Sequence, residues 1–196
     1  MTPAMNHDSY SDSYIRGILN TVKTIAMVGA SDKDNRPSYF AFKYLLERSY
    51  HMIPVNPGLA GKDMLGQRIY ARLADIPEAV DMVDIFRASQ YALGIVQEAL
   101  ALKPRPQVIW MQLGVRNDEA AALAEANGLK VVMNRCPKIE YGRLSSEIAW
   151  MGVNTRTLSS KKATIGGIQR MSLNRTTAEG GATAAADRVQ REEAGR

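Results

Sequence analysis

A single cysteine, Cys136, and two histidines, His7 and His51, are all that the chain offers of the residue types that most often bind metals. One thiol cannot close an intrachain disulfide, so nothing points to an oxidising compartment. No His/Cys cluster has the spacing of a metal site, and no Ser-His-Asp set is legible. Long apolar runs are missing as well: none reaches the roughly 18 residues that a membrane-spanning helix needs. The opening MTPAMNHDSYSDSY has no apolar centre, so a secretory signal is not expected. Nor does one sign of charge dominate the body of the chain. Residues 1–150 hold 17 Lys and Arg against 16 Asp and Glu, whereas residues 151–196 hold 8 against 4. The net charge of +5 therefore sits mostly in the tail, and a chain-wide field for nucleic acid does not follow. These absences make a cytoplasmic protein the expectation, with neither a membrane nor nucleic acid as its partner.

What is present suits one domain with some extra chain. Hydrophobic residues make up 45% of 196, enough for an ordinary core. Residues 1–10 are expected to form a flexible N-terminus. Ser11, Asp12 or Ser13 then caps a helix whose Ile15, Ile18, Leu19 and Val22 recur on one face. Residues 24–30 read as a first strand, apolar nearly throughout, as a parallel strand buried on both faces would be. A helix follows from Pro37, which suits a first helical position because it lacks an N–H, to about residue 49. HMIPV (51–55) is the second strand. Residues 56–77 carry three glycines and two prolines and read as a loop without regular elements. DMVDIF (81–86) is the third strand, followed by a helix over 89–102. QVIWMQL (107–113) is the fourth strand. The next helix has Asn117 as cap, Asp118 and Glu119 in its positive first turn, and Gly128 as its stop. LKVVMN (129–134) is the fifth strand, and a last helix runs from about Pro137 to about Trp150. Strands and helices alternating in this way predict a Rossmann-like α/β domain over residues 11–152. It is a doubly wound parallel sheet of about five strands, order 3-2-1-4-5, with helices on both faces. From residue 153 the large apolar side chains thin out, and residues 153–196 read as a largely disordered basic tail with a transient helix near 184–193.

The loop after the first strand, IAMVGASDKDNRPSYF, is where a ligand is expected. The dinucleotide fingerprint would have three glycines here, and only Gly29 is present. Even so, a strand-to-helix turn offers free backbone N–H groups and the positive end of a helix dipole. Gly29 allows close approach, Ser31 and Ser38 add hydroxyls, and Arg36 adds a fixed charge. The set suits a pyrophosphate; the alternative is a plain chain turn with a solvated arginine. At the end of the second strand, an NAD site usually has an acidic residue. Val55, Asn56, Pro57 and Gly58 stand there instead, which weakens a nicotinamide-nucleotide reading.

Taken together, VGASDKDNRPSYF, MIPVNPGLAGKDMLGQRIY, VDIFR and VIWMQLGVRNDEAAALAEANGLKVVMNRCPKIE resemble the small bacterial and archaeal CoA-binding domain proteins. These are similar to the nucleotide-binding domain of the succinyl-CoA synthetase alpha subunit, standing alone. The resemblance covers about residues 12–148. It implies a Rossmann-like domain that holds coenzyme A along the carboxyl edge of the sheet. Gly29, Ala30, Ser31, Arg36, Pro37 and Ser38 would surround the pyrophosphate. Val55, Asn56 and Pro57 would line the adenosine side, and Phe86 and Arg87 would flank the nucleotide. Gln112, Leu113 and Gly114, with Asn134, Arg135 and Cys136, would complete the rim. Synthetases of that kind carry a second domain with a phosphorylated histidine. His7 and His51 fit no such role, so a complete ligase is not expected.

Cys136 beside Arg135 is either a thiol activated by its basic neighbour or, as we favour, a small apolar rim residue. Trp110 is expected in the core, and Phe86 is balanced between core and stacking surface. Asp81 and Asp84 flank the third strand without forming an acid–base pair. Glu140 and Glu147 are expected to be solvated, and His51 to be structural. The expected function is binding of CoA or an acyl-CoA without catalytic machinery of its own; an NAD(P)-dependent oxidoreductase on the same fold is the alternative. Because the tail lacks the apolar surface that would offset ordering entropy, deleting 153–196 should leave the melting temperature and CoA affinity almost unchanged. A drop of many degrees in a thermal melt would show that the tail docks.

Overall fold

Five apolar stretches line up as parallel strands: β1 (Thr24–Val28), β2 (His51–Val55), β5 (Met82–Ile85), β6 (Val108–Met111) and β7 (Lys130–Val132). The structure is a computed structural model, and it describes residues 5–145. Two further strands of two residues each, β3 (Asp63–Met64) and β4 (Gln67–Arg68), pair antiparallel outside the main sheet. Between them Leu65 and Gly66 both take positive φ, 51° and 76°, the backbone of a tight two-residue hairpin. The expectation of a loop without regular elements over 56–77 is corrected to this extent, and two 3-10 turns, Pro57–Leu59 and Leu73–Asp75, lie in the same stretch.

The α/β class and the helices on both faces are as expected, but the strand order is not. The sheet runs β2-β1-β5-β6-β7. Counted over the five long strands this is 2-1-3-4-5 rather than 3-2-1-4-5: the third long strand lies on the far side of the first. Two sets of long-range hydrogen bonds fit this order. The Asp81 carboxylate, just before β5, accepts the backbone N–H groups of Lys23 and Thr24 at 2.8 and 2.9 Å, which seats β5 beside β1. The other edge of β2 is taken at its carboxyl end by Tyr70, whose N–H donates to Pro54 O at 3.0 Å and whose carbonyl accepts from Asn56 N–H at 2.8 Å. Pro54 itself lacks an N–H, which an edge strand tolerates.

Helices cover the two faces. On one side α3 (Ala92–Ala101) and α4 (Asp118–Ala126) bury Ile95, Val96, Ala99, Ala120, Ala121 and Ala124 against Val83, Ile85, Ile109 and Val131. On the other, α1 (Asp12–Thr21), α2 (Pro37–Glu47) and α5 (Pro137–Leu144) enclose Ile15, Ile18, Phe42, Leu45, Met27, Met82 and Trp110. The cap of α1 is Ser11, which accepts Tyr14 N–H at 3.2 Å. Of the N-terminal residues expected to be loose, His7, Asp8 and Tyr10 make side-chain contacts with Glu125, Arg116 and Met133 in the body of the fold. The expectations for 153–196, Glu147 and the stretch up to Trp150 lie outside the described residues. Among the described residues no helix is long and apolar enough to cross a membrane.

The order of strands produces a crevice. Chains leaving β1 and β5 at their carboxyl ends diverge to opposite faces, the first to α2 and the second toward α3. Open α/β sheets bind ligands at such a switch point. If the Asp81 clamp helps to seat β5, Asp81→Ala should lower stability by about 1–2 kcal/mol, the loss of two partly exposed charge-assisted bonds. Asp81→Asn, which keeps an acceptor, should recover most of it. Urea midpoints that do not move for Asp81→Ala would show that apolar packing alone places β5.

Candidate functional site

Gly29 follows the last residue of β1 with φ at +91°. A Cβ there would lie 2.5 Å from Phe86 O and 2.9 Å from Arg87 Cδ, so both the backbone angle and the space demand glycine. The Gly29 N–H donates to Val55 O at 2.9 Å, and Phe86 N–H donates to Val28 O at 2.8 Å. The ends of β2, β1 and β5 are thereby drawn together. Asn56 closes the group: its side-chain amide donates to Ala30 O at 2.7 Å, while its Oδ1 accepts Gly58 N–H at 2.9 Å and caps the 3-10 turn that Pro57 opens. Pro57 is exposed and Val55 buried.

Beyond Gly29 the chain runs through Ser31, whose Oγ accepts Lys33 N–H at 3.3 Å, to Arg36, the residue that precedes α2. No side chain caps this helix start, Pro37 occupies its first position, and its first turn holds no acidic residue. The contrast with α4 is direct: there Asn117 Oδ1 accepts Ala120 N–H at 2.8 Å, and Asp118 and Glu119 neutralise the positive end. The start of α2 is left open to an external anion. Arg36 is exposed and has no carboxylate partner among the described residues. Arg87 is also exposed, lies with its guanidinium 5.0 Å from the centre of the Tyr91 ring, and likewise pairs with no carboxylate among the described residues. Phe86 is half-buried against the core under α2.

Several of the expected site residues, one from the pyrophosphate loop and two from the rim, point inward. Ser38 is buried in the first turn of α2. Gln112 is buried, and its Nε2 donates to both carboxyl oxygens of Asp84 at 2.8 and 3.1 Å. Cys136 is buried and its thiol is pushed up to about 11, chiefly by burial and with a contribution from nearby Asp84. The thiol is therefore not activated. Trp110 is fully buried, as expected, and its Nε1–H donates to Arg135 O at 2.8 Å. Farther out on the rim, exposed Gly114 donates its N–H to Asn134 Oδ1 at 2.8 Å, and Leu113 beside it is half-buried. Arg135 donates to Asp8 O at 3.5 Å and lies 3.8 Å from Glu140. Glu140 departs from the expectation of solvation. It is buried and paired with Arg143 at 2.8 Å, because α5 packs against α1 and turns that face inward. His51, in turn, is an exposed strand residue paired with Glu78 at 3.0 Å.

Some residues of this edge were not singled out from the sequence. Ser89 accepts Arg116 N–H on its hydroxyl and the Asn117 amide on its carbonyl, both at 3.0 Å, tying the loop after β5 to the loop after β6. Tyr91, exposed beneath Arg87, is another. Asp84 is the third. It lies within β5, between Met27 and Trp110 in register, and not at the strand's flank. Full burial pushes its carboxyl up to about 7, and Gln112 offsets only part of that rise. Its neighbours Asp81 and Arg87 sit on loops, so hydropathy alone did not separate it from them.

Comparison with known proteins places the chain in context. Residues 23–142 match the family described as CoA binding domain. The uncharacterized Bacillus subtilis protein YneT is 34% identical over 131 residues, which span 67% of this chain and 94% of that one. Among solved structures, a Thermus thermophilus protein is 36% identical, superposes with a TM-score of 0.65, and aligns over 69% of this chain and 99% of its own. A hypothetical protein from Pyrococcus horikoshii is 37% identical with a TM-score of 0.66, over 74% and 99% of the two chains.

The buried carboxyl of Asp84 has a consequence for stability. A folded-state pKa of about 7, against an ordinary value of 3.8, favours the neutral acid in the folded protein. Its contribution is fully present below pH 3.8 and is lost as pH rises through about 7. Asp84→Asn should therefore gain stability relative to the parent between pH 5 and pH 8 by about 2–4 kcal/mol, with the Gln112 amide turning over to accept. Urea unfolding at the two pH values tests this, and parallel profiles for parent and variant would refute it.

Proposed function

The chain belongs to the CoA binding domain family, and from that premise we propose that it binds coenzyme A or an acyl-CoA along the carboxyl edge of the sheet. The pyrophosphate lies in the crevice between β1 and β5. The observation that carries this reading is the Gly29 turn, which has no room for a Cβ and leads to an uncapped helix start flanked by Arg36 and Arg87. In this reading Gly29, Ala30, Ser31, Arg36, Pro37 and Ser38 surround the pyrophosphate. The Gly29 and Arg36 N–H groups are bonded within the chain, so the ligand is met by the N–H groups of Ala30, Ser31 and Ser38, the helix dipole and the Arg36 guanidinium. Asp32 and Asp34 lie in the same loop, so its side chains alone carry little net attraction, and the backbone and the two arginines supply it. Val55, Asn56 and Pro57 line the adenosine side, and Phe86 and Arg87 flank the nucleotide. Gly114, Asn134 and Arg135 bound the far rim, while buried Gln112 and Cys136 support that rim from below.

An NAD(P) reading on the same fold is less well supported. Such sites place a carboxylate at the end of the second strand. Here Asn56 stands in that stretch and spends its amide on Ala30 and Gly58. No catalytic residue is assigned: the buried thiol is unactivated, and Asp84 is engaged with Gln112.

Calorimetric titration with CoA, acetyl-CoA and NAD tests the reading directly, and no CoA binding at millimolar concentration would end it. Charge-assisted hydrogen bonds contribute about 1.5–3 kcal/mol each, so Arg36→Ala should weaken CoA roughly 10- to 100-fold. The melting temperature should hold, because the side chain is exposed. Dephospho-CoA keeps the pyrophosphate and should lose a similar factor. A loss confined to intact CoA would mean that Arg36 reads the 3′-phosphate instead.

A further inference from the structure

Two arginines on the outer part of the same edge are held by the chain's own N-terminal segment. Arg116, in the loop between β6 and α4, pairs with Asp8 at 2.5 Å and with Asp118 at 3.1 Å. Arg135, in the loop between β7 and α5, donates to the carbonyl of the same Asp8 at 3.5 Å and lies 5.7 Å from the centre of the Tyr10 ring. One residue thus offers its carboxylate to the first guanidinium and its carbonyl to the second. The segment is anchored on both sides of Asp8. The Tyr10 hydroxyl accepts Met133 N–H at 2.7 Å, and Tyr10 stacks on Tyr14 with ring centres 5.9 Å apart. The His7 ring, 9% exposed, lies 3.2 Å from Glu125 and 3.0 Å from the Tyr10 hydroxyl. Asp8 itself is 75% exposed at the side chain. Ion pairs so exposed contribute little and exchange readily with other anions.

We propose that Arg116 and Arg135 form a second anion site on this edge and that Asp8 occupies it as an internal plug. The ligand group that displaces Asp8 is a carboxylate, whose two oxygens can take two guanidinium groups at once. The proposal rests on the CoA reading. Three strand spacings separate β1 from β7, about 14 Å at about 4.8 Å each. One extended ligand with its pyrophosphate at Gly29 therefore spans to Arg116 and Arg135. With the adenosine beside β2, the 3′-phosphate lies on the far side of β1, so the second anion of an acyl-CoA is a carboxylate at the end of its acyl group.

The test compares the full chain with Asp8→Ala by calorimetry against CoA, dephospho-CoA, acetyl-CoA and malonyl-CoA. The variant should bind the ligand that carries the second anion about three- to tenfold more tightly than the parent does. The gain should appear with malonyl-CoA and not with acetyl-CoA. A gain with CoA that is absent with dephospho-CoA would put the 3′-phosphate at these arginines and overturn both the acyl-carboxylate site and the placement of the adenosine beside β2. Adding Arg116→Gln to Asp8→Ala should remove the gain. Unchanged affinity for all four ligands overturns the plug and leaves the CoA reading standing. The same gain for all four also overturns it, because a general change in surface charge then suffices. No binding by either protein overturns the CoA reading, and the plug with it.

Discussion

One hydrogen atom, in the place where any other residue carries a Cβ, lets the end of β1 pass against the backbone of Phe86. Much of the edge depends on that contact. It keeps the Gly29 N–H on Val55 O, brings Arg87 beside the glycine, and sets the angle at which the chain leaves toward α2. A larger residue would have to push β5 and its loop outward, and the loop after β5 is bonded in turn to the loop after β6 through Ser89. The carboxyl edge behaves as a row of linked turns, each held by hydrogen bonds from the next.

The helix starts on that edge differ in how they are finished. The start of α4 has an asparagine cap and two acidic residues of its own, so its dipole is satisfied within the chain. The start of α2 has neither. A helix end left in this condition is stabilised by whatever anion reaches it, which makes the difference between the two ends a physical statement about where negative charge is welcome. Arg36 and Arg87, without carboxylate partners among the described residues, add to it on the same side.

Most elements were legible in the sequence because their signals are local. Continuous apolar runs marked the buried parallel strands, HMIPV to the residue; Pro37 and Asn117 marked helix starts, and the first helix start was narrowed to Ser11, Asp12 or Ser13. Strand order was not legible, since alternation of strands and helices is the same for 3-2-1-4-5 and 2-1-3-4-5. What selects between them includes Asp81 accepting from Lys23 and Thr24, a contact across almost sixty residues of chain. The β3–β4 hairpin was hidden because Leu65 takes a left-handed turn position that usually belongs to Asn or Gly. At the site, Gly29 and its neighbours were readable from strand, turn and helix signals together. The inward turn of Gln112 was not, since it depends on Asp84 within the adjacent strand. Glu140 was misread for a similar reason: the face it occupies on α5 is solvent-facing only if α1 is ignored.

Trp110 connects the interior to this edge in a way that has an optical consequence. Its ring is fully buried in β6, and its indole N–H is bonded to the carbonyl of Arg135, on the rim itself. Indole emission responds to the polarity and the hydrogen bonding of its surroundings. The fold therefore contains a fluorophore with one end in the core and the other on the backbone of the rim. Any rearrangement of the turn between β7 and α5 alters that bond, and emission registers it without a label.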